Sequence, residues 1–411
     1  MVASEMAGPR MGDDAHPRIL LITRNLPPLR GGMERLNLHM ARALANWSEL
    51  TIIGPAGCRP LLPPACRVIE VPVRPLRRFL LHSLCAAWTQ AKTPLDIVLA
   101  GSGLAAVAAR FAARRSGARA VAYVHGLDLL ARHPVYRALW LPALRGLDQA
   151  IANSANTARI AARAGVAAGR ITVVHPGVTP PDAPPAAGDA FRREHGLGER
   201  PLLLSVGRLT ARKGLYEFVR DALPAIRQKH PQVLLLVIGD DAPDALAGAT
   251  TGGRAALEAL AASLGLAEHV RLLGPCDDDT LRQAYFAADV HVFPVRDLPG
   301  DVEGFGMVAI EAAAHGLPTV AFAVGGVPDA VNPGQSGCLV PAGQYGEFAA
   351  AVCRLLAAGR EAPLRNQARQ FASNFTWDDF ALRLRQALQG KPPPPFAAYA
   401  APPDPTPRPP P

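Results

Sequence analysis

No stretch of this 411-residue chain reaches 18 uninterrupted apolar residues, so no membrane-spanning helix is expected. The opening residues, MVASEMAGPRMGDDAHPR, carry acids and lack an apolar centre, which argues against a secretory leader. Six cysteines, at 58, 66, 85, 276, 338 and 353, form neither a CxxC pair nor a zinc spacing with histidine. Buried or free thiols in a reducing cytosol are expected, not a disulfide framework. The loop after the first apolar strand, RNLPPLRGG, is not GxGxxG, which excludes the dinucleotide fingerprint. Lysine is scarce: only residues 92, 213, 229 and 391 are lysines and the other basic residues are arginines, so each lysine stands out.

What is present is length and asymmetric charge. A chain of 411 residues exceeds one ordinary core and predicts two domains. Residues 1–195 hold 24 Lys+Arg against 12 Asp+Glu, and the remainder holds 19 against 22. That asymmetry points to an anionic surface meeting the first half. The basic residues are not interleaved with stacking aromatics and no reader motif is present, so nucleic acid is not expected as a partner.

After residues 1–17, expected to be disordered, RILLIT (18–23) reads as a strand, followed by the Gly31-Gly32 loop and a helix from Met33 to Trp47. Apolar runs at 50–54, 67–73, 96–101, 120–126, 149–154 and 171–177 continue the strands. VTPPDAPPAAGD (178–189) reads as an interdomain linker without helix or strand. A second set of strands follows at 201–207, 233–239, 270–274, 290–295, 318–322 and 337–340. APDALAGATTGG (242–253) reads as a surface insertion, and the tail KPPPPFAAYAAPPDPTPRPPP as unstructured. The fold class is α/β, with two doubly wound domains facing each other across a cleft. The expected boundaries are 18–178 for the first domain, 179–195 for the linker, 196–376 for the second domain, 377–390 for a last helix and 391–411 for the tail.

The centre of this organisation is DVEGFGMVAIEAAAHGLPTVAFAVGGVPDAV (301–331). A helix from Gly306 to Ala314 would place Glu303 before its start and Glu311 just over one turn inside. A helix start offers free amides and a partial positive end, which suits an anionic or hydroxyl-rich ligand. Phe305 between two glycines predicts close backbone approach to that ligand. In VGRLTARKG (206–214), Arg208 and Lys213 flank a loop at the ligand end of a strand and can converge on a diphosphate. His125 ends the strand AVAYVHG, where it can serve either the structure or a sugar hydroxyl near the reaction centre. His175 is assigned to structure. Paired carboxylates also suit a sugar hydrolase; the basic clamp favours a nucleotide-activated sugar instead.

Over nearly all of residues 18–390 the chain resembles the family-4 retaining glycosyltransferases of GT-B fold. The resemblance is carried by the EGFGMVAIE glutamate pair, GRLTARKG, the Gly31-Gly32 loop and the VHG histidine. It implies that Arg208 and Lys213 hold the donor diphosphate and that Glu311 holds the ribose. Glu303, with the amides of Gly304, Phe305, Gly306, Met307 and Val308, would hold the transferred sugar. His125 would lie near the anomeric centre, Gly31 and Gly32 would close over phosphates or acceptor, and the last helix would cross back to the first domain. The family also implies retention without metal or other cofactor, and no DxD site stands in a fitting context; Asp277 to Asp279 read as a helix N-cap. Asp128 is expected in a loop and not as a nucleophile, which favours front-face attack.

Within the family the chain is similar to bacterial mannosyltransferases of the phosphatidylinositol mannoside type. GDP-mannose is the first expected donor, with a UDP-sugar second, and a lipid-linked or polysaccharide acceptor is implied. VRPLRRFLLHSLCAAW (73–88) reads either as an interfacial helix or as a surface helix packed on its sheet. With the basic first half it predicts peripheral contact with an anionic membrane surface, on the cytoplasmic face. Rival readings are an epimerase or phosphorylase of the same fold, and a non-catalytic sugar-nucleotide-binding protein.

Overall fold

The computed structural model describes residues 16–131, 133–182, 186–241, 253–360 and 363–391. The expectations for residues 1–15, for 242–252 and for the tail after Lys391 lie outside the described residues. The chain divides into two compact units. The first runs to Val124 and adds Ala131–Ile151 and Ala161–Ile171; the second takes His125–Leu130, Ala152–Ile160 and the chain from Thr172 onward.

Seven strands build the first sheet: β1 (Arg18–Ile22), β2 (Glu49–Pro55), β3 (Arg67–Val71), β4 (Ile97–Ala100), β5 (Arg119–Val124), β6 (Gln149–Ala152) and β7 (Ile171–Val173). Their order is β3-β2-β1-β4-β5-β6-β7, and β1 pairs parallel with both β2 and β4. Short runs such as IVLA are buried along their whole length because helices cover both faces. The helix Leu76–Gln90 buries Phe79, Ser83 and Ala87 at four-residue spacing. Its outer side keeps Leu81 at 60% and Trp88 at 40% exposure. The Trp88 ring stacks on Phe111 at 4.8 Å and carries the Arg115 guanidinium 3.7 Å from its centroid. Packing on the unit and an apolar, basic outer side thus coexist in one helix.

The second sheet has β8 (Leu202–Val206), β9 (Leu234–Ile238), β10 (Val270–Gly274), β11 (Val290–Phe293), β12 (Thr319–Phe322) and β13 (Gly337–Val340), in the order β10-β9-β8-β11-β12-β13. Alternate residues feed two cores. Leu203, Leu235 and Val237 point to one, with Phe322 and Phe348, while Leu202, Leu204, Leu234 and Leu236 point to the other, with Tyr285. Period-two alternation inside fully apolar strands is the mark of a sheet buried on both faces. Both sheets are doubly wound, and each reverses its order beside its first strand.

The expected linker is corrected in its second half. Residues Ala186–Glu194 form a helix that packs on the helix Asp278–Ala287. Phe191 enters the core, and the Arg192 guanidinium donates to the Ala287 carbonyl at 2.9 Å and to Asp289 at 3.0 Å. Proline density ends at Pro185, and AAGDAFRRE after it has the composition and spacing of an amphipathic helix. The last helix, Trp377–Leu388, is capped by Thr376, whose hydroxyl accepts from the Asp379 amide at 3.0 Å. It clusters with the second unit. Among the described residues no helix is long and apolar enough to cross a membrane.

Candidate active site

In the second unit, β8 and β11 are neighbours whose following connections leave in opposite directions. That divergence opens a crevice at the strand ends, the ordinary ligand position of an open α/β sheet. The loop after β8 turns through a short 3-10 segment, Ala211–Lys213. The loop after β11 turns at Leu298–Asp301, with Pro299 and Gly300 at the corner and the Asp301 amide donating to the Leu298 carbonyl at 3.1 Å. The Arg296 amide joins the two loops by donating to the Arg212 carbonyl at 2.8 Å.

Lys213 and Glu303 meet here. The Lys213 ammonium lies 2.8 Å from Glu303 Oε2 and 4.7 Å from the centroid of Phe293, the last residue of β11. Arg212 Nη1 pairs with the same carboxylate oxygen, while its Nε stands 2.9 Å from Asp301 Oδ1. The Arg212 side chain is 10% exposed and that of Glu303 13%. Burial pushes the Glu303 carboxyl up, yet the Lys213 ammonium and Arg212 guanidinium outweigh it and hold its pKa at about 2. Burial lowers the Lys213 pKa, with the Arg212 and Arg208 charges acting in the same direction against Glu303. Arg208 itself is exposed.

The helix Met307–Ala314 starts beside this cluster. Gly306 is its N-cap at φ 100°, a conformation that L side chains rarely adopt, and no side chain caps it. The Met307 and Val308 amides head the helix, and its first turn holds no acid. Gly304 allows the closest approach: a Cβ there would collide with the His125 carbonyl and lie 2.7 Å from Asn153 Nδ2. The structure therefore brings the backbone of His125 beside the Glu303 segment, within the same unit. His125 is buried, and its amide donates to Asp128 Oδ2 at 3.2 Å. Asp128 lies in the short helix Leu127–Leu130 and not in a loop.

Three positions of the candidate site gain detail in the structure. The Phe305 ring is core, 2% exposed and 5.5 Å from the His175 ring, so only its backbone belongs to the crevice. The second cation at Glu303 is Arg212, while Arg208, expected at the diphosphate, is exposed and free of that pair. Glu311, one turn into the helix, accepts from the Tyr285 hydroxyl at 3.1 Å. Tyr285 stacks at 4.9 Å on His315, whose Nδ1 donates to the Glu311 carbonyl at 2.8 Å. His175 serves structure as expected: its Nε2 is 2.9 Å from Asp329, which also accepts from the Ala155 amide at 2.7 Å.

Arg212, Asp301 and Tyr285 were not singled out from sequence. For the first two a signal existed. Residues 301 and 303 lie two apart, a spacing that in an extended chain puts both on one side, and an arginine stands directly before the rare lysine. Gly31 and Gly32 lie in the first unit, where Gly31 is the N-cap of the helix Gly32–Ala45. The Glu34 carboxylate folds back over Gly31, 2.5 Å from where a Cβ would stand, and accepts from Asn25 Nδ2 at 2.8 Å. Among the described residues no cluster of three metal-ligating side chains occurs.

Comparison with known proteins agrees with this architecture. Residues 200–358 match the family described as glycosyl transferases group 1, and residues 30–180 match glycosyltransferase family 4. A GDP-mannose-dependent alpha-(1-6)-phosphatidylinositol monomannoside mannosyltransferase from Mycolicibacterium smegmatis is 31% identical over 408 residues, covering 91% of this chain and 98% of the relative. A D-inositol 3-phosphate glycosyltransferase from Salinispora arenicola is 38% identical over 221 residues, 51% of this chain and 47% of the relative. Among solved structures, Anabaena Alr3699/HepE in complex with UDP-glucose superposes with a TM-score of 0.74 at 22% identity, covering 91% of this chain and 100% of that one. That likeness gives the fold, GT-B.

Proposed function

We propose that this chain, which belongs to glycosyltransferase family 4, moves a hexose, mannose first, from a nucleoside-diphosphate sugar to a lipid-linked or polysaccharide acceptor with retention of configuration. The observation that carries the reading is the convergence of Lys213, Arg212 and Glu303 beside a helix start with no acid in its first turn. A buried ammonium next to free amides suits a diphosphate, the group shared by GDP- and UDP-sugars. Lys213 and Arg208 take the diphosphate, Glu311 the ribose hydroxyls, and Glu303 with the amides from Gly304 to Val308 the sugar. His125 lies near the anomeric carbon. In front-face attack the acceptor oxygen forms its bond to that carbon on the side the diphosphate leaves, and a departing phosphate oxygen takes the acceptor's proton. No metal enters this scheme.

The relative from Mycolicibacterium smegmatis is named for GDP-mannose and a phosphatidylinositol mannoside, which supports GDP-mannose and a lipid-linked acceptor here. The outward Leu81 and Trp88, beside Arg77, Arg78 and Arg115, support peripheral contact of the first unit with an anionic membrane surface on the cytoplasmic side. Gly31 and Gly32 of the same unit would close over the phosphates or the acceptor, and the Glu34 carboxylate over Gly31 favours the acceptor.

A panel of GDP- and UDP-sugars, scored by thermal stabilisation and by slow donor hydrolysis, tests the reading. GDP-mannose should give the largest shift together with hydrolysis. Stabilisation without turnover would favour a non-catalytic binder. Replacing Glu303 by Gln should spare GDP binding and abolish turnover, whereas Glu311→Ala should weaken GDP binding itself; the reverse ranking would exchange the two roles.

A further inference from the structure

Lys213 has two claims on it. Its ammonium is already paired with Glu303, yet the proposed function asks it to meet a diphosphate. When it turns to the donor, Glu303 loses one of two cations in a largely buried place, and a carboxylate left there unpaired carries a heavy desolvation penalty. Arg212 is built to remain. Its carbonyl is fixed by the Arg296 amide at 2.8 Å, and its guanidinium reaches Asp301 by Nε and Glu303 by Nη1. The segment that follows the Leu298–Asp301 turn brings both Asp301 and Glu303 to the Arg212 guanidinium. Both cations meet a single oxygen, Glu303 Oε2; Oε1 takes neither.

We propose that Arg212 is a positioning residue that holds Glu303 in place when Lys213 leaves it for the donor diphosphate, so that the carboxylate stays fixed for the transferred sugar. This rests on the nucleotide-sugar reading of the site. Before binding, two carboxylates and two cations balance. Once Lys213 faces the diphosphate, Arg212 alone stands between Asp301 and Glu303. Without it two neighbouring carboxylates are left together, and Glu303 takes up a proton at mildly acidic pH and presents a different hydrogen-bonding group to the sugar. The charged and titratable groups around Glu303 are few: Lys213 and Arg212 from the 3-10 segment, Arg208 from the same loop, Asp301 from its own segment, His291 from β11 beside Lys213, and His125 from the segment against Gly304.

Calorimetric titration of GDP and GDP-mannose, repeated with UDP and UDP-glucose, into wild type, Arg212→Gln and Arg212→Lys at about pH 5.5 and about pH 8 tests this. For Arg212→Gln, nucleotide affinity should stay within about threefold of wild type at both pH values. Its nucleotide-sugar affinity should fall by more than about tenfold at the lower pH and recover at the higher one. Arg212→Lys, which keeps a cation, should remove most of that pH dependence. Equal losses for nucleotide and nucleotide-sugar at both pH values would mean a merely structural arginine and overturn the inference. So would an Arg212→Gln protein indistinguishable from wild type. A wild type that binds none of the four ligands would remove the proposed function and this inference with it.

Discussion

The two units each start a helix from glycine beside the point where their sheet reverses, and the two starts are electrostatically opposite. In the first unit the helix Gly32–Ala45 has an acid in its first turn, Glu34, whose carboxylate folds over the Gly31 N-cap and is held by Asn25. The partial positive charge of that helix start already faces an anion from its own chain. In the second unit the helix Met307–Ala314 has no acid in its first turn, and the carboxylate that precedes it in the chain, Glu303, is paired with Arg212 and Lys213. The same backbone device is thus neutralised in one unit and left available to an incoming anion in the other. This difference, more than the presence of glycines, sets the second helix start apart as the candidate for an anionic ligand.

Giving the second start the character of the first should break the comparison most severely. Val308→Glu places a carboxylate in the first turn at a half-buried position, and GDP-mannose binding by calorimetry should weaken by about tenfold or more. Binding within a few-fold of wild type would mean that this helix start does not meet the anion.

Acid should act next. His291 and His315, both in the second unit, are buried and held neutral, with pKa values lowered from 6.5 to about 3 and about 4, in each case first by burial. A depressed folded-state pKa means that the unfolded chain binds the proton more readily. The stability each histidine contributes is therefore complete above about 6.5 and is lost as pH falls toward the folded value. From about pH 7 to about pH 5 each should cost on the order of 2 kcal/mol of unfolding free energy. Denaturant titrations across that range, with His291→Gln flattening the slope, provide the check; an unchanged slope in the variant would remove His291 from the account. The smallest effect is expected in the first unit. Glu34→Gln should leave GDP affinity within about twofold and cost about 1 kcal/mol of stability or less, read by thermal melts.

Much of this architecture was legible because strands buried on both faces leave continuous apolar runs, and RILLI, IVLA and LLLVI say strand without needing context. The glutamate pair of EGFGMVAIE was legible for a different reason: glycines on either side of Phe305 fix where a helix can begin, and so fix both carboxylates relative to it. Burial of charge was not legible. Arg212 and Arg208 are the same residue type in one short loop, and only the fold decides that the first is buried between Asp301 and Glu303 while the second faces solvent. The Phe305 ring was not legible either: its neighbouring glycines advertise backbone access and say nothing of the ring, which fills the core beside His175. The helix Ala186–Glu194 was hidden by the prolines before it.

The central claim is that the Lys213 ammonium, paired with Glu303 in this structure, becomes the partner of a nucleotide diphosphate. Its most direct test is calorimetric titration of GDP and UDP into wild type and Lys213→Ala. The account predicts binding to wild type and at least a tenfold loss in the variant, on the order of 1.4 kcal/mol. Unchanged affinity in Lys213→Ala would contradict it.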